Sequence, residues 1–194
     1  MPSGRTGKIP GLEQAVRARP ESAQAHFKLG TAFKELGQLT KAEEALRKAT
    51  ELDPSMYEAW VNLGGVLFAR WDFAGSVEAN RKAVECDPEC VRGHYNLGLG
   101  HLYLNRPEEM VESFKRVVEL DKENAGGHHH LAIVQNALGD LNQAIISLER
   151  AKSLGFSPDP SFIKEIEKAL SRRESEGGVV SFEIDNHPRE DSSD

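Results

Sequence analysis

Apolar residues along this chain recur three, four and seven positions apart, in blocks that restart every 34 residues: 23–56, 57–90, 91–124 and 125–158. That spacing is the helical period, so each block predicts amphipathic α-helices. The seventh position of the blocks holds Leu29, Leu63, Leu97 and Leu131, and the eighth holds Gly30, Gly64, Gly98 and Ala132. The fourth position is bulky throughout (His26, Trp60, His94, His128), and the third is small (Ala25, Ala59, Gly93, Gly127). Further along, Leu46, Asn80, Phe114 and Leu148 correspond, then Ala49, Ala83, Val117 and Ala151, then Leu52, Cys86, Leu120 and Leu154.

Each block reads as two helices. A turn signal interrupts it near the middle, as in Leu36-Gly37-Gln38-Leu39 and Leu138-Gly139-Asp140-Leu141. Pro54 and Pro88 stop the second helix, because proline lacks the amide donor and clashes with the preceding turn. The small positions let the two helices approach closely. One such pair cannot bury its apolar face alone, so the pairs must stack into a solenoid.

The ends follow the same logic. Leu12, Ala15 and Pro20 fall in the register of a second helix, which predicts a capping half-repeat over 8–22 with its helix at about 8–19, after a disordered start at 1–7. Downstream, Ser157-Pro158-Asp159-Pro160 breaks the chain, and a C-terminal capping helix is expected within 159–176. Its apolar stripe is Phe162, Ile163, Ile166, Ala169 and Leu170, with Lys164, Glu165, Glu167 and Lys168 facing water. After Gly177-Gly178, residues 177–194 read as an acidic disordered tail with Val179, Val180, Phe182 and Ile184 as apolar points in a polar setting. Those four residues are also spaced as a linear motif that docks on a partner or on this chain's own groove.

The fold expectation is therefore all-α: a right-handed superhelical solenoid of stacked antiparallel helix pairs, about four repeats plus capping helices. The order of a bulky residue, Leu-Gly, an apolar or aromatic residue, alanine and a closing proline resembles the tetratricopeptide repeat. The resemblance covers 23–158, about 70% of the chain. Ser76 and Met110 stand where the family uses alanine, and Lys122 and Phe156 where it uses proline.

Charge narrows the partners. With a net charge of −7 the chain lacks the basic surface that nucleic acid or an anionic membrane demands. No apolar run has signal-peptide or membrane-spanning length, so the expected compartment is cytoplasmic. Cys86 and Cys90 flank the turn CDPEC and read as two turn-facing thiols in a reducing cell rather than a disulfide framework.

The resemblance implies that the first helix of each pair lines a concave groove that holds a peptide. Carried over position by position, the peptide-binding candidates are Phe27, Lys28 and Thr31 from the first repeat, and Asn62 and Phe68 from the second. The third supplies Arg92, Tyr95, Asn96, Leu99 and Tyr103, and the fourth His129, His130, Ile133 and Asn136. Lys34 and Leu102 also fall on this wall. Asn62 and Asn96 stand where similar repeats bond a ligand's backbone, because an amide both donates and accepts. Both are expected to face solvent in the free protein. The family's carboxylate clamp needs lysine and asparagine where this chain has Phe27 and Thr31, so the resemblance does not extend to that clamp although Asn62 and Arg92 match two of its places.

Chemistry beyond binding finds little support. His128, His129 and His130 are consecutive on a helix and point about 100° apart, so they do not converge on one metal. His26, His94 and His128 take core positions, while His129 and His130 are expected to make the groove pH-sensitive near 6–7. No phosphate loop or nucleophile with a base partner is legible, and no cofactor, metal or enzymatic activity is expected. The functional expectation is a non-catalytic adaptor or assembly factor for a protein or peptide partner. The alternatives are a self-assembling homo-oligomeric scaffold and a specialised chaperone for a secreted protein.

Overall fold

The structure, a computed structural model, describes residues 8–175. The start at 1–7 and the tail at 177–194, with its Gly177-Gly178 hinge, lie outside the described residues. Ten helices and no strand make up the described part: α1 (Ile9–Ala18), α2 (Ala23–Glu35), α3 (Leu39–Leu52), α4 (Tyr57–Ala69), α5 (Phe73–Cys86), α6 (Val91–Tyr103), α7 (Pro107–Leu120), α8 (Ala125–Ala137), α9 (Leu141–Ser153) and α10 (Pro160–Ser175). The starts of α2, α4, α6 and α8 are one repeat length apart. Antiparallel pairs α2/α3, α4/α5, α6/α7 and α8/α9 stack in chain order into a right-handed solenoid, α1 covering one end and α10 the other.

Local chemistry explains the boundaries. The side chains of Ser22, Asp72, Asn124 and Asp140 accept the free amides of Ala25, Gly75, Gly127 and Gln143, capping α2, α5, α8 and α9. Asp53, Asp87 and Asp121 leave the second helices in extended conformation, each returning its amide to the carbonyl four residues back. The turn inside each repeat needs one left-handed residue: Gly37 (φ 71°), Trp71 (φ 66°), Asn105 (φ 53°) and Gly139 (φ 81°). Glycine takes that conformation freely, asparagine tolerates it, and tryptophan does not favour it.

Buried leucine, valine, alanine and phenylalanine run the length of the solenoid as a chain of clusters. The repeated Gly positions let helices touch: a Cβ on Gly30 would lie 2.7 Å from Leu46 Cγ, and one on Gly98 2.6 Å from Phe114 Cε2. In the second repeat the residue opposite the glycine is polar. Asn80 is fully buried and donates from Nδ2 to the Ser76 carbonyl at 2.8 Å. Ile166 is buried against the last pair with Phe162, Ala169 and Leu170 packed around it, and Lys164, Glu165, Glu167 and Lys168 are exposed, as the stripe predicted.

Two local expectations change. His26, His94 and His128 are half-buried rather than core, because their rings reach back over the preceding turn instead of inward. Cys90 is not turn-facing: it is buried with Val61 and Ala83, and burial pushes its thiol pKa up. Cys86 is exposed.

Candidate functional site

The first helices α2, α4 and α6 touch in turn and form one wall. The second helices carry ion pairs of the i,i+3 or i,i+4 kind, such as Lys82–Glu85 and Lys152–Glu149, on exposed surface where they contribute little. The wall is different in kind, with few such pairs and many groups of mixed chemistry.

Between the first two repeats, Lys34 Nζ donates to Asn62 Oδ1 at 2.5 Å, and Asn62 Nδ2 donates to Thr31 Oγ1 at 3.2 Å. Asn62 is only 4% exposed, so the expectation that it stands in solvent fails. Its amide bonds through both Nδ2 and Oδ1, fastening α4 to α2. Burial, and next the positive charge of Arg92, hold the Lys34 ammonium below its ordinary pKa. Lys34 and Arg92 therefore share one stretch of wall. Lys28 and Arg92 are exposed, whereas Phe27 packs against the first core cluster.

The same device recurs one repeat on. Asn96 Nδ2 donates to Asn80 Oδ1 at 3.1 Å, fastening α6 to α5, and Asn96 remains half-buried. Tyr95 packs edge-on against Phe114 with ring centres 5.4 Å apart, and burial raises its phenol pKa. Leu99 packs on the second-half core, while Leu102 is 40% and Tyr103 52% exposed.

In the last repeat the two histidines part company. His129 stacks on Phe156 at 4.2 Å, and His130 stacks on Phe114 at 4.9 Å. Burial, then the charge of His129, pushes His130 down to about 4, and burial alone lowers His129. A switch at pH 6–7 is thus not what His130 provides, because its ring is buried face-on against Phe114 and edge-on to Tyr95. Ile133 is half-buried, and Asn136 Nδ2 donates to Glu165 Oε1 of α10 at 2.8 Å. Among the described residues, no three His, Cys, Asp or Glu side chains gather as a metal site, and no helix is long and apolar enough to cross a membrane.

The structure adds Phe73 and Trp71 to the groove residues Phe68 and Tyr103. Phe68, of the groove set, meets Tyr103 at 5.1 Å and Phe73 at 5.2 Å, and Phe73 stacks on Tyr103 at 4.5 Å. Trp71 lies edge-on to Phe73 at 6.0 Å and is itself 76% exposed. The signal was present in the repeats: tryptophan occupies a position that is glycine in repeats one and four.

Models of the tetratricopeptide repeat match residues 10–55, 27–89 and 91–124. Among curated proteins, a cellulose synthase operon protein C of Escherichia coli K12 is 44% identical over 64 residues, and a CTR9 homolog of Arabidopsis thaliana 36% over 63. These segments are 31% and 32% of this chain, and the chain spans only 6% of the length of either relative. Among solved structures, YrrB, a tetratricopeptide-repeat protein with an unusual peptide-binding site, superposes with a TM-score of 0.75 at 19% identity, covering 84% of both chains. MamA (41 to end) of Desulfovibrio magneticus RS-1 gives 0.72 at 22%, covering 79% of this chain and 86% of that one. Pseudomonas aeruginosa pilF gives 0.73 at 22%, covering 89% and 79%. At these identities the likeness is one of fold.

Proposed function

The chain belongs to the tetratricopeptide-repeat family, and on that premise we propose that it is a non-catalytic protein-interaction module, an adaptor or assembly factor that holds a peptide segment of another protein against its concave wall. The observation that carries this reading is the exposure of Leu102 and Tyr103 at the end of α6, beside half-exposed Phe68 and on the wall that carries Arg92. Aromatic and aliphatic side chains left in water cost solvation that a bound apolar side chain recovers. The cations Lys28, Lys34 and Arg92 on the same wall favour a ligand that brings carboxylates. That YrrB has a peptide-binding site on the same fold supports the assignment. The compartment this reading assumes is the cytoplasm.

Of the groove set, Lys28, Phe68, Arg92, Asn96, Leu99, Tyr103 and Ile133 are the residues we assign to ligand contact. Phe27, Thr31, Asn62, Tyr95, His129, His130 and Asn136 position the wall from behind. Display of random peptides against the folded protein tests this, with Arg92→Glu combined with Tyr103→Ser as the counter-target. Peptides selected by wild type should be lost by the folded double variant. Peptides that bind both alike would place recognition off the concave wall.

A further inference from the structure

The aromatic cluster at the α4–α5 turn is dearer than stability requires. Repeats one and four make this turn with glycine, yet here Trp71 adopts φ 66° and remains 76% exposed. A residue that strains its backbone and hides little of its ring contributes nothing to the free fold that glycine would not. Its ring extends the row of Phe73, Tyr103 and Phe68, giving one continuous apolar surface along the turn edge of repeats two and three.

The last described helix delivers the chain to that same edge. Arg173 Nη1 donates to Asn142 Oδ1 at 3.0 Å, and Arg172 and Arg173 line a cleft with Gly139, Asp140 and Leu141. The end of α10 therefore sits over the α8–α9 turn, the repeat-four equivalent of the turn that carries Trp71. The cluster begins at Tyr103, one repeat from the α8–α9 turn, and α10 lies one helix beyond that turn, a span of roughly 20 Å at about 8–10 Å for each of two helix-to-helix steps. The seven residues from Glu176 to Phe182 reach at most about 23–25 Å. Phe182 is thus within reach of the cluster, and Ile184 with margin. In Val180-Ser181-Phe182-Glu183-Ile184 the three apolar residues alternate with polar ones, so an extended run would turn all three to one side.

We propose that residues 179–184 of this chain dock in cis on the surface formed by Trp71, Phe73, Phe68 and Tyr103. Because Phe68 and Tyr103 also belong to the concave wall, the docked tail covers one end of the groove and competes with whatever binds there. The docking itself needs no partner, so its test is separate from that of the groove.

Trp71 reports on it directly once Trp60, the other tryptophan, is replaced by phenylalanine in the full chain. Acrylamide quenching of Trp71 in Trp60→Phe should rise about threefold when Phe182→Ser and Ile184→Ser are added, as expected for opening a site covered about two-thirds of the time. The protection should not depend on protein concentration. Reciprocally, Trp71→Gly, a residue this turn accepts in two other repeats, should speed chymotryptic cleavage after Phe182 by a similar factor. Quenching unchanged by the tail substitutions would overturn the proposal, as would cleavage unchanged in Trp71→Gly. Protection that grows with concentration would also overturn it, assigning the surface to the tail of a second copy.

Discussion

The indole nitrogen of Trp60 donates to the carbonyl of Pro54, 2.8 Å away and six residues earlier. The same tie closes every repeat: Nε2 of His26 bonds the Pro20 carbonyl at 2.8 Å, that of His94 the Pro88 carbonyl at 3.0 Å, and that of His128 the Lys122 carbonyl at 3.1 Å. A carbonyl only accepts, so each imidazole must carry its proton on Nε2. The shared requirement is a planar ring with an N–H at its far end. That explains why histidine and tryptophan interchange where size alone would not predict it. Trp60→Phe keeps most of the packing and loses the bond, and should cost about 0.5–1.5 kcal/mol. Trp60→Ala should cost more, but less than the ~3–5 kcal/mol of a wholly enclosed ring, because Trp60 is only half-buried. Urea denaturation of both variants checks the order.

Gly64 and Gly65 are neighbours with opposite expectations. A Cβ on Gly64 would collide with the Asn80 amide, which is itself held by Ser76 and Asn96 and has nowhere to go. Gly64→Ala should therefore lose about 1–3 kcal/mol. A Cβ on Gly65 meets nothing within 4 Å, and alanine in a helix is favoured over glycine by about 0.5–1 kcal/mol. Gly65→Ala should raise the thermal midpoint. If both substitutions moved stability the same way, the close approach of α4 and α5 would be misplaced.

The two asparagines of the wall test which role an amide plays. Asn62→Ala removes the acceptor that Lys34 uses in a half-buried site, and it should destabilise by about 1–3 kcal/mol. Asn96→Ala leaves Oδ1 of the fully buried Asn80 without its donor and should also destabilise. Chemical denaturation of each single variant is the measurement. Losses near zero would mean the amides are free to serve a ligand.

How much of this was legible beforehand follows from where the information sits. The helix pairs, the caps and the apolar stripe of α10 depend on residues a few positions apart, so periodicity and glycine–proline punctuation exposed them. The wall depends on residues about 30 apart that meet only when repeats stack. Asn62 reads as a groove residue by position, yet Thr31 and Lys34 of the preceding repeat enclose it. His130 reads as groove-facing, yet it stacks on Phe114 and meets Tyr95 edge-on, both from the preceding repeat. Repeat register tells which helix face a residue occupies. The departures from the consensus tell what covers that face, and Trp71 is the departure that position alone would discard.

His130 makes the stability of the last two repeats depend on pH. Its folded-state pKa lies at about 4 against an ordinary 6.5, because its ring is stacked on Phe114 and crossed by Tyr95 with His129 adjacent. The unfolded chain therefore takes up a proton here as pH falls below about 6.5, while the folded one does not until about 4. Where the unfolded state binds more protons, stability falls as pH falls, so the contribution is intact at pH 7 and lost between about 6.5 and 4. With the partial exposure of the ring allowed for, the loss is on the order of 2–3 kcal/mol. His130→Phe keeps a flat ring against Phe114 and has nothing to protonate. At pH 7 it should unfold at nearly the same urea concentration as wild type. Near pH 4.5 it should be the more stable of the two, and the gap should open within the predicted window. Carboxylates and the other lowered histidines, His101 and His129, titrate in both proteins and drop out of the comparison to first order. A difference between variant and wild type that stays constant from pH 7 to 4.5 would mean that His130 is solvated and ionises normally. The stacked arrangement joining repeats three and four would then be wrong.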